Sequence, residues 1–244
     1  MSDKYLMLGG SSELCLSFLK NHKWHADDEI VLQYYSNSAV LEQIKDEIPA
    51  KLYLWQADFS SEESTENFVK KLGQSGYVPT HIVHAPAVPI TNARFTESGW
   101  SESEKQLHVQ CRSLMMILQG VIKKMAKCKR GKIILVLSSC CINVPPKFLS
   151  SYVMTKYALM GLGKSLAVEY ASKGIHVNMI SPSMMNTKFL VNVYDGIVEQ
   201  SAKENPQGRN VTPDDVAGVI EYLFSDACNF VIGANVPVTG GEAF

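Results

Sequence analysis

The chain has no apolar run near the ~20 residues that a membrane-spanning helix needs, so no membrane partner is expected. It also lacks an excess of charge of either sign. Lys and Arg number 23 against 24 Asp and Glu, giving a net charge of −1 and no basic surface for nucleic acid. The one basic cluster, Lys127-Cys128-Lys129-Arg130, suits the end of a helix, where cations complement the macrodipole. The first residues, Met1-Ser2-Asp3-Lys4, run into a strand without the pattern of a signal peptide. Six cysteines stand at 15, 111, 128, 140, 141 and 228, at no metal-ligand spacing. The adjacent Cys140 and Cys141 read as small buried residues after a strand rather than a redox or metal pair. A reduced, cytoplasmic protein without a metal site is expected.

What the chain has is a globular composition. Its 244 residues are 46% hydrophobic and 19% charged, enough for one sizeable core. Apolar runs at 5–8, 29–34, 51–55, 81–84, 132–137 and 176–180 read as strands. Helical patterns lie between them, near 12–22, 38–48, 62–75, 101–128 and 152–173. A last helix near 213–224 precedes a short strand at 235–239. Repeated β-α-β units of this length predict an α/β protein: a Rossmann-type, doubly wound parallel sheet flanked by helices, in a single domain over 1–244. The least regular stretch, 184–212, follows a strand's carboxyl end, where such sheets bind ligands, and is a candidate substrate lid.

Tyr152 and Lys156 are four residues apart, which places them on one helix face. A cation beside a phenol favours phenolate, so Lys156 is expected to lower the pKa of Tyr152 toward the working range of an acid-base catalyst. Ser139, thirteen residues before Tyr152, ends the strand-like run 132–137. A hydroxyl there can hydrogen-bond the carbonyl oxygen that the phenol protonates. The trio makes sense as a site for carbonyl reduction.

The turn after the first strand reads Gly9-Gly10-Ser11-Ser12-Glu13-Leu14-Cys15. Glycines in such a turn admit a pyrophosphate to a helix N-terminus. Here Glu13 and Cys15 occupy positions where further glycines would help. A carboxylate facing a pyrophosphate is repulsive, so Glu13 is expected to point to solvent. At the end of the second strand, Tyr34 stands where an acid would select NAD. Ser36, Asn37 and Ser38 could donate to a 2′-phosphate. NADP is the expected cofactor, with NAD as the alternative.

Several motifs together resemble the short-chain dehydrogenase/reductase family and, within it, the β-ketoacyl-acyl-carrier-protein reductases. They are Gly131-Lys132-Ile133-Ile134 through Ser139, the Tyr152 to Lys156 segment, Gly174-Ile175-His176-Val177-Asn178 and Ser181-Pro182-Ser183. Thr212-Pro213-Asp214-Asp215-Val216-Ala217 and the ending at Gly233 to Gly241 add to them. The resemblance implies Tyr152 as general acid, Ser139 as the oxygen-binding hydroxyl and Lys156 as holder of the nicotinamide ribose. It matches Gln110 to a relay asparagine. It also implies cofactor contacts at Gly9, Ser11, Ser12 and Leu14, at Tyr35, Ser36 and Asn37, and at Asp58 and Phe59. His84, Met185 and Thr187 complete that set.

The chain departs from the family's pattern where His84-Ala85-Pro86-Ala87 replaces Asn-Asn-Ala-Gly, at Gln110, and at Ser183, which replaces a glycine. The implied activity is reduction of a small or carrier-protein-bound β-ketoacyl substrate. The alternatives are a weakly active or non-catalytic partner subunit and a reductase of sugars or other small alcohols. Helices apolar on more than one face, as at 114–118, imply a homodimer or homotetramer.

Overall fold

A computed structural model describes residues 2–243. The strands are β1 (Lys4–Leu8), β2 (Glu29–Tyr34), β3 (Lys51–Gln56), β4 (His81–His84), β5 (Gly131–Val136), β6 (Ile175–Pro182) and β7 (Asn235–Val238). The helices are α1 (Glu13–Asn21), α2 (Ala39–Lys45), α3 (Glu62–Gln74), α4 (Trp100–Leu107), α5 (Ser113–Cys128), α6 (Ser150–Tyr170), α7 (Asp195–Glu204) and α8 (Pro213–Phe224). All strand pairs are parallel, in the order β3-β2-β1-β4-β5-β6-β7. The expected Rossmann-type α/β fold is present.

The near-continuous apolar strands are explained by burial on both faces. Because successive side chains alternate, Tyr5, Met7, Ile30, Leu32, Ile134 and Ile180 enter one core layer, with Leu14, Phe18, Val216 and Ile220 of α1 and α8. Leu6, Leu8, Val31, Ile133, Leu135 and Met179 enter the other, with Phe68, Leu114, Ile117 and Leu159 of α3, α5 and α6. On this second face α6 comes close to the sheet. A Cβ added to Gly163 would lie 2.9 Å from Leu135 Cδ1 and 2.9 Å from Met179 Sδ.

From β1 the chain winds outward through β2 and β3, then returns to β4 on the other side of β1. The switch point therefore lies between β1 and β4, and ligands bind beyond the carboxyl ends of those strands. Two details differ from the sequence expectation. The run 101–128 is divided by a π-helical turn at His108–Arg112, between α4 and α5. The segment 184–212 carries a 3-10 turn at Lys188–Leu190 and the helix α7, none of whose residues is buried. That segment is tied down where Met185 bridges Val211 and Val211 N donates to Met184 O at 3.1 Å.

Candidate active site

Helix α6 begins two residues before Tyr152, and both Tyr152 (9% exposed) and Lys156 (3% exposed) point inward. Lys156 Nζ lies 5.5 Å from the centroid of the Tyr152 ring and donates to Val136 O at 2.8 Å, at the end of β5. Burial lowers the Lys156 pKa to about 8.

Two expectations are corrected here. Of the two serines, it is the side chain of Ser138 that acts on the Tyr152 phenol, lowering its pKa, and not that of Ser139. Ser139 begins the 3-10 turn Ser139–Cys141, while Ser138 is the extended residue before it and accepts from Cys140 N at 3.3 Å. The phenol's pKa is also raised rather than lowered. Burial is the largest cause, and the Ser138 hydrogen bond offsets it only in part. The phenol is thus held protonated.

Around Tyr152 the wall is apolar. Cys140 and Cys141 are buried against it, with Ile90, Leu149, Val153, Met160 and Phe189 beside them. The Phe189 ring, from the 3-10 turn after β6, lies 5.9 Å from the Tyr152 ring.

His84 and Gln110 are brought together by a direct hydrogen bond. The His84 ring is buried, its Nε2 donates to Gln110 O at 2.8 Å, and burial lowers its pKa to about 3, so it is neutral. The bond pins the π turn to the end of β4. The Gln110 side chain is wholly buried and its Nε2 donates to Gln106 Oε1 at 2.7 Å. His84 Nδ1 and Gln110 Oε1 are both left as buried acceptors without a donor. Such groups are costly unless a ligand or water completes them.

The glycine turn is built for close approach. Gly9 has φ +78°, and a Cβ there would lie 3.0 Å from Pro86 N. Only glycine accepts that conformation without strain. Gly9 N donates to Gln33 Oε1 at 2.9 Å and Gly10 N to Gln33 O at 2.7 Å, while Gln33 Nε2 donates to Ala57 O at 2.7 Å. Gln33 therefore sets the turn, a role the sequence reading missed. Its signal was a lone polar residue at the end of an apolar strand.

Ser12 caps α1, accepting from Cys15 N at 3.3 Å, and Ser11 is half-buried beside it. The Leu14 side chain lies in the core, so only its backbone N–H can face a ligand, along with that of Glu13; a helix leaves these first-turn donors unsatisfied. Tyr35, Ser36 and Asn37 are exposed just beyond β2, and Asn37 accepts from Ala39 N at 3.2 Å. Asp58 accepts from Ser60 N at 2.8 Å and Ser60 Oγ at 2.7 Å, ahead of α3, and Phe59 is buried. Thr187 Oγ1 donates to Met185 O at 3.4 Å. Glu13 does not simply face solvent as expected: it is half-buried, and its Oε1 accepts from Lys188 N at 3.1 Å.

A family model described as Enoyl-(Acyl carrier protein) reductase matches residues 24–242. The chain belongs to the short-chain dehydrogenase/reductase family. It is 33% identical over 150 residues to dehydrogenase/reductase SDR family member 4 from Sus scrofa, covering 61% of this chain and 52% of that one. The chain thus spans about half the length of the curated relatives it matches. Its fold is similar to that of levodione reductase, with a TM-score of 0.86 and 23% identity over 98% of this chain and 97% of that one. It is similar also to ElxO with NADP bound, with a TM-score of 0.84 and 22% identity over 99% of each chain.

Among the described residues of this family member, no helix is long and apolar enough to cross a membrane.

Proposed function

We propose that this family member is an NADP-dependent reductase that converts a carbonyl to an alcohol. The observation that carries the reading is the group formed by half-buried Ser138 with buried Tyr152 and Lys156 at the carboxyl end of β5, beside the crevice of the switch point.

The residues present fit a dinucleotide. Gly9 leaves a cradle that a Cβ would fill, and the first-turn donors of α1 face an anion. Exposed Ser36 and Asn37 beyond β2, with no acid at Tyr34, suit a 2′-phosphate, and ElxO, of the same fold, binds NADP. Lys156 would hold the nicotinamide ribose. When bound, the cofactor supplies the hydride.

The chain's own residues handle the proton. Ser138 donates to the carbonyl oxygen and fixes its distance from the phenol. Tyr152 delivers the proton as charge develops on that oxygen, and the Lys156 ammonium stabilises the phenolate that results. Burial keeps the phenol in the protonated form that reduction uses. The apolar wall of Ile90, Leu149, Val153 and Phe189 suits an acyl chain, so a β-ketoacyl thioester, free or carrier-bound as in fatty acid or polyketide biosynthesis, is the substrate class.

The test is NADPH oxidation with a β-ketoacyl thioester. Tyr152→Phe removes the acid and is expected to lower kcat by roughly 10²–10⁴-fold, with NADPH affinity preserved. Activity within about threefold of wild type would reject the assignment.

A further inference from the structure

The Glu13 contact lies where an ordinary dinucleotide turn has no acid to place. Residue 13 is the first of α1, beyond the end of β1, whereas residue 188 follows β6. In this sheet β1 and β6 are separated by β4 and β5, three strand spacings or about 14 Å. For Lys188 N to reach Glu13 Oε1, the chain leaving β6 must cross above the carboxyl ends of β5 and β4. It therefore lies over the mouth of the switch-point crevice. The same short turn carries Phe189, packed on the Tyr152 ring. Its stem is fixed separately, by the Met185–Val211 bridge and by Asn210 Nδ2 donating to Asn186 Oδ1 at 3.0 Å. One carboxylate thus holds residue 188 of a strap whose stem at 185–186 is anchored and whose next residue, Phe189, packs on the catalytic phenol.

We propose that Glu13 is a built-in anion that stands at the phosphate-binding end of the crevice and holds residues 187–190 across it, so that a dinucleotide must displace this carboxylate to bind. Resting on the reductase reading, it makes Glu13 a positioning residue: its loss frees the strap without touching the Ser138, Tyr152 and Lys156 chemistry. A pyrophosphate arriving at the N-terminus of α1 repels the Glu13 carboxylate, and the bond to Lys188 N breaks. Phe189 is then free to move away from Tyr152, which opens the apolar wall to substrate. Entry of cofactor and exposure of the phenol become one event.

The experiment uses the full chain and Glu13→Ala and Glu13→Gln variants. Amide hydrogen exchange, followed by mass spectrometry without cofactor, reads the peptide spanning 185–192, and a peptide from α8 reports that the fold is intact. A hydrogen bond to a charged acceptor corresponds to about 10- to 150-fold in an equilibrium. Exchange of the strap should quicken by that factor in Glu13→Ala and by less in Glu13→Gln, which keeps an acceptor but loses the charge. NADPH should bind Glu13→Ala tighter by a similar factor. Exchange equal to wild type in Glu13→Ala overturns the strap. A loosened strap with NADPH affinity unchanged or weaker overturns the competition. If NADPH binds no form of the protein, the reductase reading falls, while the exchange result still decides whether Glu13 holds the strap.

Discussion

Lys156 is placed at a cost in stability. Its pKa falls from 10.5 to about 8 because its ammonium is buried, with a single bond to Val136 O. A base whose folded pKa lies below its unfolded value destabilises the fold while charged in both states, and stability recovers as pH rises from about 8 toward 10.5. Lys156→Met removes the buried charge but leaves the Val136 carbonyl without its donor. The net gain at pH 7 should be roughly 1–3 kcal/mol, raising Tm by several degrees while reduction is lost. The advantage should shrink as the melt is repeated toward pH 10. A variant less stable than wild type at pH 7, or a difference constant with pH, would contradict this account.

At the same scale, Tyr152 and Lys156 were legible as a helix pair because their spacing is a property of the helix alone. The serine was not. Ser138 and Ser139 are chemically identical neighbours, and strand alternation stops being a guide where β5 gives way to the 3-10 turn at 139–141. Nor was the direction of the Tyr152 shift readable, since it depends on burial by Phe189 and the cysteines from distant parts of the chain.

Elements position these residues through close packing. The strands could be read because parallel strands buried on two faces are apolar throughout, and β4 falls on the expected residues, His81–His84. Helix α7 escaped notice because none of its residues is buried, so it has no apolar stripe to reveal it. The π turn at 108–112 was hidden because one extra residue in a turn does not break an apolar pattern. In α6 the approach to the sheet depends on Gly163. Its added Cβ would press on Leu135 and Met179, which are fully buried and have little room to yield. Gly163→Val should destabilise by about 1–3 kcal/mol and lower kcat as Tyr152 and Lys156 are lifted from β5. Gly161, on the other face of the helix, would meet nothing within 4 Å, so Gly161→Val isolates the cost of valine in a helix. Equal thermal midpoints for the two variants would mean that the close approach is not limiting.

For the molecule as a whole, the outward face of α6 poses a further question. Met154, Tyr157, Ala158, Gly161, Ser165 and Val168 are exposed and recur at three- and four-residue intervals, which makes one continuous stripe. Val168 is 84% exposed and Tyr157 43%, although the opposite face of the same helix is in the core. Met115 of α5 adds a further exposed apolar group, 46% accessible. The stripe carries Lys164 only at its margin, and small residues at 158, 161 and 165 allow two helices to approach closely. A face so apolar from Met154 to Val168 is costly in water and fits a second copy of itself related by a two-fold axis. We propose a homodimer, or a homotetramer if a second face also pairs. Light scattering at micromolar concentration should give twice or four times the 27.0 kDa of one chain. Val168→Glu puts two like charges near the axis, and this should shift the mass toward one chain while leaving the buried face of α6 untouched. A wild-type mass of one chain would show that the stripe is not a self-association surface. An unchanged oligomer in Val168→Glu would place the contact on another face.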